Sequence, residues 1–190
     1  MLNFIKENSN FVVKMMINQF GLTVFGFMLA MAVGENNTLQ LLTGLFAFGF
    51  YMFLLYSMTW TIGVKDIDRI ANKRIPYIPL KGAYISVAAN LINFIFAVGI
   101  LIGFIITSAS PSKSGLYGIS LVIARFTQAM YLGINVNLPE NIRFAMYFIT
   151  PFPAIIACGL GYYLGVKEKR LLKYLGIDTS KNINKKNNNF

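Results

Sequence analysis

The chain has 190 residues, 56% of them hydrophobic and 13% charged, with a net charge of +10. A soluble domain carries about 25% charged residues, so this composition points away from a water-exposed fold, and the positive charge is read as basic residues flanking apolar blocks, not as a nucleic-acid surface. There is no histidine and one cysteine, Cys158, which excludes a disulfide framework, a Cys/His zinc site and a Ser-His or Cys-His nucleophile pair.

The apolar residues gather in long runs instead of alternating with a period of 2 or 3.6. A run of about 18 or more residues reads as a bilayer-spanning helix, because lipid offers no partner to exposed backbone N–H and C=O groups. Four such blocks are predicted, at 15–34, 39–63, 82–107 and 144–166. Lys14, Asn18 and Gln19 stand at the start of the first, and Lys14 is expected to snorkel to the interface. Ala30-Met31-Ala32 has the small-x-small pattern of a signal-peptidase site, but the block is span-length and its upstream region is long and contains Glu7. It is therefore read as an uncleaved first span. The linker "ENNT", 35–38, is short enough to make the first two spans an antiparallel hairpin.

After the second block comes "VKDIDRIANKRIPYIPLKG". Its "KDIDRIANKR" part is expected as a short surface helix, with Ile67 and Ile70 toward lipid and basic residues toward anionic headgroups, stopped by Pro76 and Pro79. The neighbouring Asp66 and Asp68 are read as a solvated ion-pair cluster rather than a metal site. Tyr56, Trp60, Tyr162 and Tyr163 are expected to form aromatic belts near this interface. The third block carries Asn90 and Asn93, amides that need partners inside a bundle. It also carries Gly99 and Gly103, matched by Gly161 and Gly165 in the last block. These G-x-x-x-G pairs are expected to pack the third span on the last, or to make a dimer face. Pro151 and Pro153 predict a kink at the start of the last block.

The stretch 116–135 is apolar but holds Arg125. Basic residues crowd the N-terminal region, the linker around Lys65, Arg69, Lys73, Arg74 and Lys81, and the tail after Val166. The positive-inside rule puts all three in the cytoplasm only if an even number of spans separates linker from tail. A helical wheel also places Val122, Ile123, Phe126, Ala129, Met130 and Gly133 opposite Ser120, Arg125, Thr127, Gln128 and Tyr131. The stretch is therefore predicted as an outer-face amphipathic or re-entrant helix. Its competitor is a fifth span with Arg125 turned into the bundle.

The expected fold is all-α: one transmembrane domain over 1–177 with four spans and both termini cytoplasmic, and a disordered Asn- and Lys-rich tail at 178–190. Within it, Trp60, Gly63, Lys65, Asp66, Leu80, Lys81, Gly82 and Ile85 form a W-x-x-G-x-K-D … L-K-G-x-x-I pattern. The pattern resembles one in uncharacterised small polytopic bacterial membrane proteins, a resemblance that covers 56–91 and implies a membrane bundle but no activity or ligand.

No Walker A or Rossmann glycine pattern is present, and no acidic residue lies in a predicted span, so neither an enzyme nor a carboxylate-coupled carrier is readable and no cofactor or metal is implied. The expected role is that of a non-enzymatic protein of a bacterial plasma membrane. It would act through lipid contacts, including anionic lipids at the cytoplasmic face, and through a membrane-protein partner or a second copy, as an accessory subunit of an envelope or transport system. The alternative is a small oligomeric transporter or pore, with a path past Asn90, Asn93 and the Pro151 kink and with Arg125 and Arg143 attracting an anion at its outer mouth. A third reading is a lipid-handling protein.

Overall fold

The structure is a computed structural model that describes residues 6–109 and 115–168, apart from the side chains of 107, 109 and 140–144. The predicted tail at 178–190 lies outside the described residues. Among the described residues the fold is helical without strands. The helices are α1 (Ser9–Val33), α2 (Asn37–Ala71), α3 (Lys81–Ala89), α4 (Leu91–Ala109), α5 (Gly115–Thr127), a 3-10 turn (Ala129–Tyr131), α6 (Leu132–Val136), α7 (Glu140–Ile149) and α8 (Pro151–Val166).

The α1–α2 hairpin forms as its linker predicts. Gly34 closes α1 at φ 63°, a left-handed conformation that suits glycine. Asn36 then caps α2, its side chain accepting from Leu39 N–H at 3.1 Å. Helix α2 runs for 35 residues without a break, about 52 Å at ~1.5 Å per residue. The separate surface helix expected around "KDIDRIANKR" is thus the last part of α2. Nothing between Gly63 and Ala71 breaks a helix, so backbone hydrogen bonding carries it on past the apolar run.

Three interruptions shape the rest. The predicted third span is two helices, α3 and α4, bent by 53° at Asn90. There the Asn90 side-chain amide donates to Ser86 O at 3.0 Å, the carbonyl that its own backbone N–H already uses at 2.9 Å. A side chain that competes for the i−4 carbonyl is a known cause of bending. The stretch predicted at 116–135 breaks after Thr127 and turns by 75°. At Pro151 the helical hydrogen bonding is interrupted and α8 begins, but Thr150 keeps helical dihedrals (φ −55°, ψ −32°) and Ala145–Val166 still forms one 22-residue span, so the predicted kink is a break in hydrogen bonding and not a sharp bend.

Because of the second break, one wheel cannot describe 116–135. Gln128, Ala129, Met130 and Tyr131 are all buried, from both of the faces expected to differ. The segment is packed on α1 and α2: a Cβ on Gly26 would overlap the Met130 backbone, and one on Gly44 would overlap Gly133 and Ile134.

Contacts order the helices along the bundle. Asn137 Nδ2 donates to Asn37 O at 3.1 Å, so α6 ends beside the α1–α2 turn. The Ser120 side chain meets Gly99 and the Tyr117 backbone meets Gly103, so α5 runs back along α4. Helix α8 runs parallel to α2, with Gly161 against Tyr56 and Gly165 against Trp60. The two G-x-x-x-G pairs therefore do not meet each other as expected: Gly99 and Gly103 receive α5, and Gly161 and Gly165 receive α2. Any small-residue groove admits a close backbone, and the chain path decides which one.

A main core of Met15, Tyr51, Leu55, Ile85, Cys158 and Tyr162 is joined by a smaller one of Ala97, Ile100, Ala124 and Tyr147. Large apolar side chains instead crowd the outer surface, among them Ile17, Phe20, Met28, Met31 and Phe46, each at least 60% exposed.

Candidate functional site

The three interruptions meet at one level of the bundle, and each carries a polar side chain there. On one side, Asn90 Oδ1 accepts from Asn93 Nδ2 at 3.0 Å and from Gln19 Nε2 at 3.4 Å. Asn90 is 2% exposed, Asn93 4% and Gln19 9%. The predicted amides Gln19, Asn90 and Asn93 thus form one cluster joining α1 to the α3–α4 bend. The fourth, Asn18, stays exposed, its Nδ2 reaching Met58 Sδ at 3.6 Å. The alternation of neighbours around a helix decides this: Gln19 points inward and Asn18 does not.

On the other side, Thr150 Oγ1 donates to Gln128 Oε1 at 2.6 Å, and Gln128 Nε2 donates to Tyr147 O at 3.3 Å. Tyr131 Oη donates to Thr150 O at 3.1 Å. The Gln128 bond occupies Tyr147 O, the carbonyl whose i+4 partner would be Pro151, which has no N–H. Thr23 Oγ1 donates to Thr127 O at 2.9 Å, serving the α5 end in the same way.

Tyr51 stands between the two clusters. Its ring meets that of Tyr131 edge-on at 6.5 Å, and the residue is 1% exposed. Its Oη lies beside Asn90 and Cys158 and, among the described residues, makes no hydrogen bond of ordinary geometry. Tyr51, Gln128 and Thr150 are not candidate site residues on the sequence alone. The first lies inside an apolar run with nothing to mark it. Gln128 stands out only on the polar side of the 116–135 wheel, and Thr150 only by the proline that follows it.

A second polar group lies nearer the C-terminal end of α2. Asp66, expected in a solvated cluster, is 2% exposed. It accepts from Lys81 Nζ at 2.7 Å, from Tyr162 Oη at 3.1 Å and from Arg69 at 3.3 Å. Asp68, two residues on, is exposed, as expected. Glycines make the clasp possible: Gly63 lies against the α8 backbone, and Gly82 against Cys158 O. Gly63, Asp66, Lys81, Gly82 and Ile85 all belong to the W-x-x-G-x-K-D … L-K-G-x-x-I pattern, which in this chain marks the joint of α2, α3 and α8. Tyr162 is buried in that joint and is not a belt residue. Tyr163 is half-exposed, and its hydroxyl and ring engage Lys167, holding that ammonium's pKa above the ordinary lysine value through the hydrogen bond.

A groove of about 460 Å³ opens between α1, α4 and α5, and Gln19 and Asn93 are among its lining residues. Among the described residues no charged side chain lines it. Arg125, proposed to draw an anion, is exposed on α5 and does not line the groove, and the side chain of Arg143 lies outside the described part. Lys14 is exposed at the start of α1. Among the described residues no three His, Cys, Asp or Glu side chains converge. Compared with known proteins, the chain matches no family model, no curated protein and no solved structure.

Proposed function

We propose that this chain is a non-enzymatic integral membrane protein that receives a small ligand from within the bilayer, as a carrier or as the binding subunit of a transport system. The observation that carries this reading is the meeting of two bent helix pairs, at Asn90 and Gln128, with the proline-led start of α8 after Thr150, around buried amides and hydroxyls. Interrupted helices at mid-depth are costly in an apolar bundle and characteristically build binding sites in transporters. The apolar outer surface and three helices of spanning length and composition, five with the bent pairs, support membrane insertion.

In the proposed topology α1, α2, α3–α4 and α7–α8 are the four spans. The α5–α6 segment enters and leaves on the side of the α1–α2 turn, and both termini face the cytoplasm. Native mass spectrometry of the chain extracted from its own membrane in mild detergent tests the role. A stoichiometric small-molecule mass, lost in a folded Gln128→Leu variant, is expected. A bare chain in every preparation overturns the ligand reading, and a stoichiometric protein in place of the small molecule establishes the accessory role instead.

A further inference from the structure

The groove between α1, α4 and α5 combines two features that a packing defect does not explain. Its walls include Ile17, Phe20, Ile92 and Phe126, which are 63%, 61%, 42% and 47% exposed, so it opens on the apolar outer surface of the bundle. Its lining is overwhelmingly apolar, and Gln19 and Asn93, both more than nine-tenths buried, are among the few polar residues in it. A primary amide offers two N–H donors and a carbonyl oxygen. Each of these two amides spends one N–H on Asn90 Oδ1. Among the described residues neither amide makes a further hydrogen bond, so each keeps one donor and its acceptor oxygen for a ligand.

We infer that this groove binds a neutral, single-tailed lipid alcohol, its tail along the apolar walls and its hydroxyl hydrogen-bonded by Gln19 and Asn93. A hydroxyl both donates and accepts, which matches what the two amides have left. The absence of any charged lining residue among the described residues disfavours an anionic or cationic head, whose desolvation would go uncompensated. The volume, about 460 Å³, is toward the small end of the ~300–1,000 Å³ of small-molecule pockets and suits one chain. Exposure of the mouth on the apolar flank means that the ligand arrives laterally, from lipid.

This inference rests on the ligand-binding reading above, and its test separates the two. The full chain in phosphatidylcholine vesicles is irradiated with a diazirine-bearing hexadecanol, and labelled peptides are mapped. Labelling is expected to concentrate on Ile17, Phe20 and Phe126. Even labelling of the groove and of Phe46 and Phe50 on the outer face of α2 would show bulk lipid contact and overturn the site. A diazirine palmitate at pH 8 is expected to label the groove far less, and equal labelling would refute the neutral head. Asn93→Leu should lower groove labelling about fivefold, the loss of roughly one hydrogen bond. Ile17→Trp should lower it too, by narrowing the groove while leaving the amides in place. If Asn93→Leu does not fold, Ile17→Trp decides, and unchanged labelling in that folded variant removes the proposal. A retained small molecule in native spectra together with an unlabelled groove would overturn this site and leave the ligand-binding reading standing.

Discussion

Asp66 shows how much one residue's setting depends on its neighbours in space. In sequence it stands among Lys65, Asp68 and Arg69 and reads as solvated. In the fold its carboxylate is enclosed by Lys81 and Tyr162, which come from two other helices. A buried pair gains little over apolar packing, but removing one partner strands the other. Asp66→Ala should therefore lower the unfolding free energy in detergent by roughly 3–5 kcal/mol. Adding Lys81→Met should recover part of that loss. Additive losses would mean that the pair is not coupled. Tyr51 makes the opposite prediction: its buried hydroxyl makes no hydrogen bond of ordinary geometry among the described residues, so Tyr51→Phe should leave thermal stability equal or raise it by about 1 kcal/mol. A clear loss would reveal a partner for that hydroxyl.

At the scale of elements, glycine governs how closely helices approach. A Cβ at Gly161 would overlap Thr59 Oγ1 and lie 2.6 Å from Tyr56 O, a carbonyl in the middle of α2 that cannot yield. Gly161→Val should cost about 1–3 kcal/mol, whereas Gly49→Ala, with nothing within 4 Å, should be neutral or stabilising through helix propensity. Thermal unfolding of the two variants checks this, and equal midpoints would contradict the α2–α8 packing. The interruptions differ in legibility. Pro151 announces a break in helical hydrogen bonding because it lacks an N–H in any context. The bends at Asn90 and after Thr127 arise from hydrogen bonds that form only once a side chain has chosen between helix carbonyl and neighbouring helix, so neither was readable.

At the scale of the molecule, the open question of residues 116–135 becomes one of sides. Single cysteines at Gly115, Pro139 and Glu35 should all react with a membrane-impermeant maleimide from outside intact cells, and one at Lys73 should not. Native Cys158 is fully buried and should stay silent. Labelling of Gly115→Cys and Pro139→Cys from opposite sides would make the segment a crossing and remove the four-span topology.

By itself the sequence determined the helical class, the apolar blocks, the α1–α2 turn and the break in helical hydrogen bonding at Pro151. These follow from local chemistry: the period and length of apolar runs, capping, and a missing N–H. Tertiary structure alone decided that Asp66 is enclosed, that Gln19 joins Asn90 and Asn93 while Asn18 does not, and which helix each glycine stripe receives. Those outcomes depend on which segments, far apart in the chain, arrive side by side, and a residue's own neighbours in sequence carry no information about that.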